Sequence, residues 1–155
     1  MIAKLTLCAT MLLAAIDARG DQKSKQPAPP AKTSKAAEGA KSKQVELRPV
    51  EENIVKHTNS ARGKFGLASL EIDHDLMESA RQHAKWMARN QSLVHTSRPV
   101  AENIAMGQDT SKEAVGCWMN SSGHRANILS RGHRRIGVAS ARTANGTVFW
   151  CQQFR

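Results

Sequence analysis

Cys117-Trp-Met-Asn-Ser-Ser-Gly-His-Arg-Ala-Asn-Ile-Leu129 sets apolar anchors on either side of a polar break. Trp118, Met119, Ile128 and Leu129 are the anchors; Ser121, Ser122, Gly123 and His124 supply turn-forming chemistry between them. The pattern predicts a helix that ends near Met119, a break at Gly123-His124, and a further helical turn over Ala126 to Leu129. A polar break held between buried anchors is a place where a site can sit.

Downstream, Ile136 to Ala141 and Thr147 to Phe154 read as two strands joined by an Asn145-Gly146 hairpin-type turn. In the second strand Val148, Trp150, Gln152 and Phe154 share one face, and Phe149, Cys151 and Gln153 the other. Upstream, Ser111 opens the helix that carries Trp118, and Glu113 in its first turn complements the helix dipole. A helix is expected from about Glu51 to Gly63. A second, capped by Asp73, carries the stripe Leu76, Met77, Ala80, His83, Ala84 and Met87. His83 lies among apolar neighbours and reads as a packed core histidine, while His57 and His74 read as surface residues. Pro99 prevents one clean helix over Leu93 to Gly107, so His95 and Glu102 are expected on irregular chain. Helices first and a hairpin last argue for α+β, a small antiparallel sheet covered by helices.

Of the 155 residues, the first 44 do not belong to this domain. Met1 to Lys4 is a short positive start, and Leu5 to Ile16 is an apolar run too short to span a bilayer as a helix. Small residues follow at Ala18 and Gly20, so residues 1–20 read as a signal peptide, with an uncleaved membrane anchor as the alternative. Residues 21–44 hold six lysines and two acids among Ala, Pro, Ser and Gln, a composition that cannot bury enough surface to fold and reads as a disordered linker. The domain is residues 45–155. The formal charge of +10 is divided, because from Val45 onward there are fifteen Lys and Arg against ten Asp and Glu. This balance suits an anionic partner or simply a solvated surface. With Cys8 in the leader, Cys117 and Cys151 remain, able to pair after export or to stay as buried thiols. No CxxC or CxxH spacing supports a thiolate zinc cluster.

Four motifs in order, Ala101-Glu-Asn-Ile-Ala105, Trp118 to Leu129, Ile136-Gly-Val138 and Trp150-Cys-Gln-Gln-Phe154, resemble the CAP superfamily. It comprises the cysteine-rich secretory proteins, antigen 5 and pathogenesis-related 1 proteins, and the chain looks like its short bacterial branch over about Val50 to Arg155. The resemblance implies an extracellular three-layer α-β-α sandwich with a cleft lined by two histidines and two acids. By motif these are His95, Glu102 and His124. The second acid is replaced by Ser121, and Glu113 does not substitute for it, since eight residues of helix rise about 12 Å. Ala101 stands where many relatives have glycine. Trp118 and Asn127, with Ile128, are expected to support the cleft.

Two imidazoles and a carboxylate, His95, Glu102 and His124, suit Zn2+; a hydrogen-bonded structural cluster of the same groups is the alternative. His133 falls outside the motif. Three functions compete. A secreted or envelope-side monomeric binding module would take a lipid, an envelope component or a protein partner. A hydrolase would use a metal, or Ser121 or Ser122 with His124, but the chain has no G-x-S-x-G and no identified partner to orient a histidine. A nucleic-acid binder would need the Lys-rich arm with Arg131, Arg134 and Arg135, and the export signal argues against that partner.

Overall fold

The computed structural model describes residues 45–155, so the signal peptide expected over 1–20 and the linker over 21–44 lie outside the described residues. Helix α1 (Pro49–Lys64) opens on Pro49, whose fixed φ and missing amide hydrogen suit the first helical position. Glu51 reaches back to accept the Arg48 amide at 2.9 Å. Helix α2 (His74–Asn90) is capped by Asp73, which accepts from the Leu76 amide at 3.0 Å. Helix α3 (Ser111–Met119) begins with a reciprocal capping box between Thr110 and Glu113, which gives Glu113 its structural role.

Strands β1 (Glu71–Ile72), β2 (Ala101–Met106), β3 (Arg135–Arg142) and β4 (Val148–Phe154) form one sheet in the order β1-β3-β4-β2. The hairpin is where the sequence places it, with Gly146 in the left-handed region at φ +88°. The sheet is mixed, however, because β1 pairs with β3 in parallel while the other two pairings are antiparallel. The two residues of β1 are too short to register as a strand in a hydrophobic pattern.

Two local expectations also change. Glu102 lies in β2, since Pro99 excludes helix without excluding the strand that follows it, and β2 pairs along its full length with β4. His124 lies inside helix α4 (Ser122–Leu129): Ser121 takes the N-cap position, and Gly123 is accommodated in the first turn.

Alternate residues of β4 enter two separate clusters. Val148, Trp150 and Phe154 join Ile54, Val115, Trp118 and Ile128, whereas Phe149 and Cys151 join Ala80, Ala84 and Met87. Helix α2 therefore covers one face of the sheet and α1, α3 and α4 cover the other, an α-β-α sandwich with its core on both sides. Helix and sheet approach closely at Gly137, where a Cβ would stand 2.1 Å from the Leu76 carbonyl carbon. On the opposite side, buried Arg62 donates to the carbonyls of Ala68 (2.9 Å), Ile128 (2.7 Å) and Ser130 (2.9 Å), fixing α1 to the end of α4. Of the two alternatives for Cys117 and Cys151, the structure has the free thiols, and the sheet accounts for it. Cys151 packs with the α2 residues on one face, while Cys117 lies in α3, whose Ala114, Val115 and Trp118 pack on the other.

Candidate functional site

β2 is an edge strand, and its alternation sends successive side chains to opposite faces. Glu102 pairs with Gln153 and shares the α2 face; Asn103 pairs with Gln152 and shares the face covered by α4. The site is built around this edge.

On the α2 face the Glu102 carboxylate is the centre. Its Oε1 accepts from His95 Nδ1 at 2.8 Å and from the Thr96 amide at 2.9 Å. Its Oε2 accepts from Gln153 Nε2 at 2.9 Å and from Cys151 Sγ at 3.5 Å, with His83 Nε2 at 3.8 Å. Burial alone would raise the carboxyl pKa, but the bonds from His95, Gln153 and Thr96, and the nearby His83, hold it below the usual glutamate value. Burial first, and then the same carboxylate, push the Cys151 thiol well up, so Cys151 is a protonated donor. His83 is not enclosed in apolar packing as the stripe implies. It is half-buried, donates to the Val94 carbonyl at 2.9 Å and stacks on Trp86. Trp86 and Val94 are among the exposed large apolar residues, so an apolar rim adjoins the histidines.

On the other face a buried polar chain holds α4. Asn103 Nδ2 donates to the His124 carbonyl at 3.1 Å and to Gln152 Oε1 at 3.0 Å, and Gln152 Nε2 donates to Thr58 Oγ1 at 2.7 Å. Asn127 donates to the Glu102 carbonyl and to Asn103 Oδ1, and Trp118 Nε1 donates to the Ile104 carbonyl, so both expected supporting residues act by hydrogen bonding. His124 is buried, and burial followed by the charge of His95 lowers its pKa, which favours the neutral ring. Buried Ser121 Oγ and Gln153 Oε1 have no hydrogen-bond partner.

The structure thus brings His95 and Glu102 into direct contact, with His124 in the first turn of α4 and Ser121 at its N-cap. It adds His83, Cys151 and Gln153 on one side and Asn103 and Gln152 on the other. Among the described residues no group of three His, Cys, Asp or Glu side chains could hold one metal ion. The donor chemistry explains this, because both Glu102 oxygens are spent on protein donors and the carboxylate orients His95. His95, Glu102 and His124 as they stand do not fit a three-donor zinc centre. His74 is exposed, and His133 stacks on Phe154 away from the cluster.

The chain is similar to known proteins over the same region. It is 36% identical over 121 residues to YkwD of Bacillus subtilis (strain 168), covering 67% of this chain but 46% of that protein, so it spans about half the length of this relative. The fold is similar to that of an outer surface protein from Borrelia burgdorferi, with a TM-score of 0.61 at 21% identity, over 66% of this chain and 89% of that one. It is also similar to an extracellular protein containing a SCP domain from Bacillus anthracis, with a TM-score of 0.58 at 23% identity, over 72% and 45%. Among the described residues no helix is long and apolar enough to cross a membrane. Residues 55–154 match the profile of the cysteine-rich secretory protein family, CAP, and the chain belongs to that family.

Proposed function

We propose that this is a non-catalytic CAP binding module, secreted or held on the outer side of the membrane, whose His95 edge receives a lipid or other amphipathic envelope component. The observation that carries this reading is the saturated Glu102 carboxylate. A general base needs a lone pair directed at its substrate, and each Glu102 oxygen already accepts from at least two donors. The serine route has no more support, because Ser121 Oγ makes no hydrogen bond to a base.

What remains suits binding. His95 uses Nδ1 on Glu102 and keeps its other ring nitrogen, and its side chain is 34% exposed. Trp86, 43% exposed, and Val94, 50% exposed, offer apolar contact beside it. A polar donor or acceptor next to an apolar rim matches a ligand with a head group and an aliphatic part. Titration calorimetry of lysophosphatidylcholine monomers into the full chain, beside Trp86→Ser and His95→Ala variants, tests this. Saturable binding weakened roughly tenfold by each change is the expected outcome. Binding that is absent, or indifferent to both changes, overturns the proposal.

A further inference from the structure

Helix α2 carries Arg81, Lys85 and Arg89 at four-residue spacing on its outer surface, each about 6 Å further along the axis. Their surroundings differ. Arg81 is spent on Glu51, at 2.6 and 2.9 Å, and on the Glu46 carbonyl. Lys85 and Arg89 are exposed, and among the described residues neither has a carboxylate partner. Across from them stands Arg142 at the end of β3. It too lacks an acidic partner among the described residues, and one of its nitrogens donates to the Gly146 carbonyl at 2.6 Å.

These three cations line one open cavity of about 430 Å³, which Ala88, Ala141 and Ala144 also line and which has no acid in its lining. The depression continues both ways. Lys85 also lines a cavity of about 700 Å³ beside Arg48 and Arg81, and Arg142 also lines one of about 610 Å³ by the β3-β4 turn. The flanking cavities each contain an acid, Glu46 in the first and Asp109 in the second, so uncompensated positive charge is concentrated in the middle. None of the three is lined by His95, Glu102 or His124.

We propose that the Lys85–Arg89–Arg142 depression is a second binding site, for phosphate groups carried on an extended anionic polymer. A guanidinium presents five donors in a planar fork and an ammonium three more, which suits the several oxygens of a phosphate. Small alanines leave room for the group to sit between the cations. The continuation of the furrow in both directions is what a polymer uses and a single anion does not. A membrane surface fits less well, because these cations surround a hollow, and the exposed Trp86 is turned about 100° around α2 from Lys85.

The test uses the full chain, whose residues 21–44 add six lysines of their own, so it needs a control of equal charge. Affinity for long-chain inorganic polyphosphate is measured at several salt concentrations for three proteins. These are the wild type, a Lys85→Ala/Arg89→Ala/Arg142→Ala variant, and a control carrying Lys56→Ala/Arg125→Ala/Arg131→Ala. We expect at least roughly tenfold weaker binding in the first variant, with the slope of log K against log salt reduced by about two. The control should change less than about threefold. The double variant Lys85→Ala/Arg89→Ala leaves the Arg142–Gly146 contact in place and should show the larger part of the loss, should the triple variant fail to fold. Equal losses in both triple variants, or no wild-type binding, overturn the site. Inorganic phosphate binding as tightly as the polymer overturns the extended ligand. Dependence on the three cations seen only with phosphatidylglycerol vesicles replaces the polymer with a membrane.

Discussion

Glu102 shows how one side chain can be committed by its surroundings. Its carboxylate has 2% exposure and meets donors from the His95-Thr96 loop and from β4, so its negative charge joins two separate pieces of chain. Glu102→Gln keeps the shape but turns an NH2 group toward donors, leaving at least one of them unpaired. We expect a loss of about 2–4 kcal/mol in urea unfolding, with His95 released from its fixed ring orientation. An unchanged midpoint would mean that the carboxylate is not the organising group. His95, Glu102 and His124 were legible in the sequence through family motifs alone, for nothing in their spacing marks them. His83 was hidden because its stripe on α2 is otherwise apolar, and only the fold shows that this stripe passes Glu102. Gln152 and Gln153 carried a signal that went unused: two amides inside an otherwise apolar strand must find buried partners. Of the zinc centre and the hydrogen-bonded cluster that the same donors allow, the arrangement as it stands fits the second, since donor type is visible in a sequence and the direction of lone pairs is not.

Between elements, the decisive contact is that of α2 with β3. Gly137 faces the first turn of α2 so closely that a methyl group would meet Leu76 carbonyl carbon and oxygen at 2.1 and 2.3 Å. Backbone cannot rotate away as a side chain can. Gly137→Ala should therefore cost about 3 kcal/mol or more, at the upper end of overpacking effects, and lower the thermal midpoint accordingly. A neutral substitution would show that helix and sheet can separate freely. The helices, the β3-β4 hairpin and the two faces of β4 were legible because each rests on a periodic pattern or a cap: Asp73 before α2, Asn145-Gly146 in the turn, alternation from Val148 to Phe154. β1 and β2 were not. β1 is held by parallel pairing to a distant segment, and β2 has a continuously buried Glu102–Ala105 run that neither alternates nor follows a helical period. The parallel edge, which makes the sheet mixed, is a long-range property with no local sequence mark.

For the whole molecule, the layers are clamped by buried carboxylates, and this sets the response to acid. Glu51 of α1 is inaccessible and receives Arg48 from the preceding segment and Arg81 from α2, so one charge joins helices on opposite faces of the sheet. Burial raises its pKa, but the bonds from Arg81 and Arg48 outweigh burial and bring it down to about 2. Asp73, at the start of α2, is lowered in the same way: burial raises its pKa, and the Leu76 amide and Arg155 more than offset this. A carboxylate whose folded pKa is depressed contributes stability that is complete above its unfolded pKa and is lost as pH falls toward the folded one. The window for Glu51 thus runs from about pH 4.5 down to about 2. The Arg48 and Arg81 side chains are 48% and 30% exposed, so water screens the pairs, and the Glu51 contribution is about 1–2 kcal/mol, below the full linkage value. His124 and His133 act in the same direction at higher pH. Burial is the first cause of both lowered pKa values, so the unfolded chain binds their protons first and stability starts to fall below about pH 6.5. Urea unfolding followed from pH 7 to 2 should therefore show two successive losses, and Glu51→Gln should start lower and be flatter only in the second. Its slope there should not vanish, since Asp73 and Glu102 remain. A wild-type stability constant from pH 7 to 3, or a Glu51→Gln slope equal to that of the wild type between about pH 4.5 and 2, would show that the two arginines do not hold the layers through this charge.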